Sequence, residues 1–295
     1  MADARPNTPT LASVRTVLER SYDPAWAASW DAVGLVCGAP EQPVGRVLFA
    51  VDVTSGVVDE AMSWGADLIV AHHPLLLRGV NSVAADTPKG ALVHRLIRSG
   101  IALYTAHTNA DVANPGVSDA LASAVGLSGQ LRPLAPDVTD SQGERGLGRV
   151  GELEVVTSLG DFAEQVVAGI PATAAGVRVA GDARRPVRRV AVSGGAGDSL
   201  LEEARAAGVD VFVTSDLRHH PATEFVEAHD TALIDTPHWA SEWPWLPVAA
   251  AQLSRAMAGH TTTGQTTLET RVSTIVTDAW HDAFGMSRHI HEGVK

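Results

Sequence analysis

A single cysteine, Cys37, stands in 295 residues. It cannot close an intramolecular disulfide, and neither a Cys-x-x-Cys redox pair nor a thiolate zinc finger can be built around it. Lysine is almost as scarce, with only Lys89 and Lys295, so no basic arm hides inside the average. Acids outnumber lysine and arginine by 34 to 22, a formal charge of −12. That balance argues against a general affinity for nucleic acid or an anionic membrane surface. No apolar run approaches the roughly 20 residues of a membrane-spanning helix. The opening Met1-Ala-Asp-Ala-Arg-Pro-Asn-Thr lacks the charged-then-apolar order of a signal peptide, so the cytoplasm is the expected compartment. What the chain does have is 45% hydrophobic residues, enough for one large domain or two moderate ones, and 12 histidines.

Helical and strand patterns alternate along the chain. Thr8-Pro9 is read as opening a first helix with Leu11, Val14 and Leu18 inward. Arg46 to Val53 reads as a buried strand, followed by a helix through Met62 that stops at Gly65, and by a strand from Asp67 to Ala71. Thr87-Pro88 caps a helix predicted to bury Leu92, Val93, Leu96 and Ile97 and to end at Gly100. Ile101 to Ala106 is the next strand. The second half repeats the order, with strands at Val190–Val192 and Val209–Thr214 flanking a helix through Leu201 and Ala204. Ser158 caps a helix with Phe162, Val166 and Val167 inward, and Arg271 to Thr277 alternates like a strand. Gly285 to Lys295 reads as a loose tail whose His289 and His291 carry no role.

The repetition aligns without gaps at an offset of 143: Arg46-Val47 on Arg189-Val190, Glu60-Ala61 on Glu203-Ala204, Gly65 on Gly208, Asp67 on Asp210. These matches suggest a duplicated unit. The expected fold is therefore α/β: two duplicated, interlinked halves with mostly parallel sheets and a metal site in the crevice between them. Residues 1–127 form the first half, 128–237 the second, and 238–295 a C-terminal segment that packs back on the first. Ser128 to Gly148, rich in Pro, Gly, Asp and Ser, is read as the connection.

Three segments place ligand-type residues just past the carboxyl end of a strand, where parallel α/β sheets keep their sites. They are His72-His73-Pro74, His107-Thr108-Asn109-Ala110-Asp111, and His238-Trp239-Ala240-Ser241-Glu242. Each alone reads as a hydrogen-bonded loop. Together the imidazoles and two carboxylates exceed one tetrahedral zinc and suit two metals sharing a bridging carboxylate. Pro244 and Pro247 delay the following helix to about Leu246, which would leave Glu242 in a turn ahead of it.

The motifs SWDAVGL (29–35), IVAHHPLL (69–76), AHTNAD (106–111), TSDLRHH (214–220) and LIDTPHWASE (233–242) resemble those of the Nif-three-like family, dinuclear metal-centre hexamers often labelled GTP cyclohydrolase I type 2. The resemblance runs in order from about residue 10 to about residue 282. It implies metal ligands at His72, His73, Asp111, His238 and Glu242, with His107 beside the metals. It also implies a ring-shaped homo-hexamer whose sites face an inner cavity. The chain departs from the family at Ala32, where Asn is usual, at Ser215 and His219, where Gly and Tyr are usual, and at Pro237, where Gly is usual. All five ligand positions are kept.

The expected activity is that of a dinuclear divalent-metal-dependent hydrolase, cyclohydrolase-like, acting on a small-molecule substrate such as a nucleotide. Two ions about 3.5–4 Å apart would make a bridging water the nucleophile. Nitrogen and oxygen ligands without sulfur suit Zn²⁺, Mn²⁺, Fe²⁺, Co²⁺ or Ni²⁺ and do not choose among them. His107 and His220 are the candidate proton-transfer residues, with His219 beside them. A non-catalytic metal-binding or regulatory hexamer is the alternative, and a nucleotide-binding module using the Ser193–Asp198 glycine-rich turn is a third reading. Trp30 and Asp31 sit in the early motif, Asp31 as a candidate to orient a ligand histidine or bind substrate. Trp239, Trp243 and Trp245 are candidates for a pocket wall or a subunit interface. Cys37 reads as a small buried residue.

Overall fold

The computed structural model describes residues 8–258 and 268–281. The tail read at 285–295 lies outside the described residues. The first helix, α1 (Leu11–Ser21), is capped by Thr10, whose hydroxyl accepts from the Ser13 amide, so Pro9 stands before the cap. Leu11, Val14 and Leu18 are buried as their spacing predicts. β1 (Gly34–Cys37) and β2 (Arg46–Ala50) follow. β2 thus stops short of the expected Val53; Thr54 caps α2 (Ser55–Trp64), and Gly65 at φ +72 stops the helix. β3 (Leu68–Ala71), α3 (Pro88–Arg98), β4 (Ala102–Thr105) and the short α4 (Thr108–Val112) complete this stretch.

The chain continues through α5 (Val117–Ala124), β5 (Ser128–Pro136), β6 (Gly146–Ser158), α6 (Leu159–Gly169), β7 (Arg178–Ala180) and β8 (Pro186–Ala196). Then come α7 (Leu201–Ala206), β9 (Val211–Ser215), α8 (His219–Ala228), β10 (Ala232–Thr236) and α9 (His238–Glu242). α10 (Trp245–Ala258) and β11 (Glu269–Val272) close the described chain. Ile97 and Val167, expected inward, are exposed. Each lies roughly 90–100° around its helix from the centre of the buried stripe.

Two compact units result. Among the described residues, one takes 8–113 together with 245–258 and 268–277, the other 114–244 with 278–281. The boundary thus precedes the expected one at 127, because α5 packs on β6 and β8. The return comes at Trp245 rather than at 238, because α9 packs on β8 and β9. The stretch 128–148 is not a bare connection. It pairs as an antiparallel hairpin, Pro133 opposite Arg149 and Pro136 opposite Gly146. Its polar content belongs to the turn, where Asp140 accepts the Glu144 and Arg145 amides.

The first unit holds a sheet of order β1-β4-β3-β2-β11, parallel except at β1. In the second the order is β5-β6-β8-β9-β10-β7, with β8-β9-β10 parallel and the flanking pairings antiparallel. The fold is α/β, with parallel strands at the centre of both sheets. Asp67 accepts the Gly45 and Arg46 amides, and Asp210 accepts those of Arg188 and Arg189. The 143-residue offset therefore recurs in the hydrogen bonds that tie one strand's entry to the next, as a duplication predicts.

Candidate metal centre

In the first unit the backbone carries pairing past the end of β3. The His72 and His73 amides donate to the Ala50 and Val51 carbonyls, at 3.0 and 2.8 Å. Just after this point Pro74 ends the extended run, and the two rings lie 5.0 Å apart instead of on opposite faces. His107 comes from the end of β4, its ring 5.2 Å from His72 and 5.5 Å from His73. A ring nitrogen from each of the three lies within 4.8 Å of the other two. His107 also begins α4, whose first turn carries Asp111, with Asp111 Oδ1 3.7 Å from His72 Nε2.

The opposite ring nitrogens decide what these histidines can do. His72 Nδ1 donates to the Ala106 carbonyl at 2.9 Å, His73 Nδ1 to Asp52 Oδ1 at 2.7 Å, and His107 Nδ1 to Asp31 Oδ1 at 2.8 Å. A carbonyl or carboxylate oxygen only accepts, so a proton sits on Nδ1, and the ring in its neutral form offers a lone pair at Nε2. Asp31 is shielded from solvent and also accepts the Thr108 amide at 3.0 Å and hydroxyl at 2.5 Å. Burial alone would raise its carboxyl pKa, but the bonds from His107 and Thr108 outweigh it and hold the group below the usual range. Burial, then the neighbouring His72, pushes the His107 pKa down, with Asp31 pulling partly the other way. Trp30 stands 62% exposed, edge-on to His107 with ring centroids 6.0 Å apart.

In the second unit His238 begins α9 directly after β10. Pro237 holds the extended backbone before it, at φ −60 and ψ 133. Glu242 is not in a turn, as the two prolines suggested. It ends this five-residue helix, so its spacing of four brings Oε1 to 2.9 Å from His238 Nε2. α10 then starts at Trp245, which puts Pro247 in its first turn, where no intrahelical donor is lost. His238 Nδ1 donates to Asp216 Oδ2 at 2.7 Å. In the neutral ring its Nε2 therefore meets the Glu242 oxygen as one acceptor against another, and a proton on Nε2 or a metal ion has to join them. Two atoms bound to a common ion at about 2.0–2.1 Å are separated by about 2.9–3.4 Å, so this pair fits a divalent metal.

Glycine makes room for that pair. A Cβ on Gly195 would stand 2.5 Å from Glu242 Oε1, and one on Gly197 2.0 Å from Thr214 Oγ1. The run read as a phosphate-binding turn is thus largely the end of β8, and its glycines serve close packing. His220 lies exposed in the first turn of α8, its ring 5.1 Å from that of His219. Trp245 belongs to the core of the first unit: fully buried, it donates to the Tyr22 hydroxyl at 3.1 Å and packs 5.4 Å from the His72 ring. Cys37 is half-buried in β1, and burial pushes its thiol pKa up. The sequence reading had no role for Asp52 and named Asp216 only within a motif. Both stand just past the carboxyl ends of strands, β2 and β9, the position that singled out the histidines.

Residues 9–278 match the profile of Duf34/NIF3, NGG1p interacting factor 3. A protein of Streptomyces coelicolor named GTP cyclohydrolase 1 type 2 homolog is 53% identical over 272 residues, covering 92% of this chain and 94% of that protein. The protein of that name from Mycobacterium tuberculosis is 39% identical and covers 92% of this chain and 96% of its own length. That alignment runs over 374 residues, more than this chain contains, so the mycobacterial protein carries inserted residues absent here. Among solved structures, a Bacillus cereus protein related to NIF3 superposes with a TM-score of 0.83 at 26% identity, covering 93% of this chain and 99% of that one. A hypothetical protein of Staphylococcus aureus gives 0.82 at 29% identity, covering 92% and 98%. With its profile matched over residues 9–278 and a relative aligned over 92% of this chain, the chain belongs to the Duf34/NIF3 family.

Proposed function

We propose that this chain is a divalent-metal-dependent hydrolase of small molecules, cyclohydrolase-like, that works as a cytoplasmic homo-hexamer with two ions per chain. The proposed ligands are His72, His73, Asp111, His238 and Glu242. The observation that carries the reading is the acceptor-against-acceptor geometry: His238, its Nδ1 proton given to Asp216, faces Glu242 Oε1 at 2.9 Å. His72 repeats it more loosely against Asp111, at 3.7 Å, with Nδ1 given to Ala106. The donors are nitrogen and oxygen, a set that suits Zn²⁺, Mn²⁺, Fe²⁺, Co²⁺ or Ni²⁺. The name borne by the Streptomyces and mycobacterial relatives supports cyclic or nucleotide-like substrates. No helix among the described residues is long and apolar enough to cross a membrane.

Bound divalent ions supply Lewis acidity, polarising the carbon under attack and making water acidic near neutral pH. The protein's own part is orientation and proton transfer. Asp52, Asp31, Asp216 and the Ala106 carbonyl orient the four imidazoles through Nδ1, which leaves Nε2 as the nitrogen for metal or proton. His107, kept neutral by its lowered pKa, accepts a proton at Nε2 and returns it to the leaving group. His220 is the second proton-transfer residue of this reading.

Elemental analysis tests the proposal, on protein purified without chelator or metal-affinity resin, wild type beside Asp111→Ala. The expected result is about two equivalents of divalent metal per chain in the wild type and a large loss in the variant, with the hexamer retained on light scattering. Substoichiometric metal in the wild type, or equal metal in both, overturns it.

A further inference from the structure

Past β11 the chain stays with the first unit through Thr277. Residues 273–277 run as a strap pinned at three points. The Ser273 amide donates to the Phe49 carbonyl at 2.8 Å, extending the β11–β2 pairing by one bond. Glu60 on α2 accepts the Ser273 hydroxyl, the Thr274 amide at 3.0 Å and the Thr274 hydroxyl at 2.9 Å. The Ile275 side chain packs against the apolar core of this unit. The strap ends at Thr277, whose hydroxyl donates to Asp52 Oδ2. The other oxygen of that carboxylate, Oδ1, accepts Nδ1–H of His73 at 2.7 Å.

A carboxylate with a donor on each oxygen has a fixed plane, and its partner imidazole has a fixed ring angle and tautomer. Asp52 needs this help more than Asp31 does, because its side chain is 33% exposed whereas that of Asp31 is shielded. An exposed carboxylate rotates unless something holds it. Asp31 is held by the Thr108 amide and hydroxyl from the same turn as His107. For Asp52 the second donor comes instead from a segment 225 residues further along the chain.

We propose that Asp52 and Thr277 are positioning residues for His73, and that docking of the 273–277 strap sets how firmly His73 holds its metal. The inference rests on His73 being a metal ligand. Thr277 acts through the Asp52 carboxylate, to which its hydroxyl donates.

The test is a double-mutant cycle on the full chain, with Co²⁺ as the probe, its affinity read by chelator competition and its site by the visible spectrum. Asp52→Ala should weaken Co²⁺ binding by about tenfold to a hundredfold. Thr277→Val should weaken it about threefold to tenfold in the wild-type background and not at all in the Asp52→Ala background. Thr277→Ser, which keeps the hydroxyl, should restore wild-type affinity. In the metal-free protein, ¹⁵N NMR should show His73 as the Nδ1–H tautomer, with that preference reduced by Thr277→Val. Unfolding of each metal-free variant separates loss of fold from loss of grip. Wild-type affinity in Thr277→Val, or an equal loss in both backgrounds, overturns the inference while leaving the metal reading intact. A wild-type chain that takes up no Co²⁺ overturns both.

Discussion

Gly195, at φ +69, lies against Glu242 so closely that a Cβ would stand 2.5 Å from Oε1 and 3.3 Å from His238 Nε2. Both the backbone conformation and the space exclude a side chain. Glu242 is only 3% exposed and cannot swing away into water. Gly195→Ala should therefore cost about 1–2 kcal/mol from the left-handed conformation alone and also displace a proposed ligand. The check is urea unfolding of the metal-free protein alongside metal uptake. A variant with unchanged midpoint and full metal content would show that the approach is looser than described.

Arg149 in β6 is 1% exposed, and its guanidinium is fully engaged within the second unit. Nε donates to Asp119 Oδ1 and Nη2 to Oδ2, both at 2.8 Å, while Nη1 donates to the Gly146 and Gly148 carbonyls. Asp119 on α5 also accepts the Gly116 amide at 2.8 Å. Removing only the acid strips a buried guanidinium of its bidentate carboxylate. Asp119→Ala should destabilise the protein by about 3–5 kcal/mol, and replacing both residues by apolar ones should cost less than the single change. Chemical denaturation of the single and double variants decides it. Equal losses would mean that the ion pair is not the source of the cost.

Much of this was legible in the chain and some was not, for identifiable reasons. The strand-end rule placed His72, His73, His107 and His238 because buried parallel strands read as short branched apolar runs that stop just before these side chains. The offset of 143 marked Asp67 and Asp210, whose carboxylates receive the same pair of amides. By contrast, the hairpin at 128–148 was hidden, since Pro133, Pro136 and Gly146 read as breakers and only pairing across strands shows them in a ladder. Pro247 suggested a later helix because spacing does not say that a proline falls in a first turn. The tie from Thr277 to Asp52 spans 225 residues, beyond any local pattern.

Glu60 gives stability a pH dependence whose sign can be worked out. Burial alone would raise its carboxyl pKa, but the bonds from Ser273 and Thr274 and the charge of Arg271 outweigh burial and hold it below the ordinary value of 4.5. Between the folded and unfolded pKa values the unfolded chain binds more protons, so stability falls as pH falls. The contribution is whole above the unfolded value and is lost as pH drops through the folded one. Glu60→Gln should thus cost about 1 kcal/mol at pH 7. The gap to wild type should close as the pH is taken below about 4.5. Urea unfolding of both proteins from pH 7 down to pH 3.5 measures it. Curves that stay parallel across that range would mean that the strap does not depend on the Glu60 charge. The strap's grip on the first unit would then come from the Ser273 amide and the packing of Ile275.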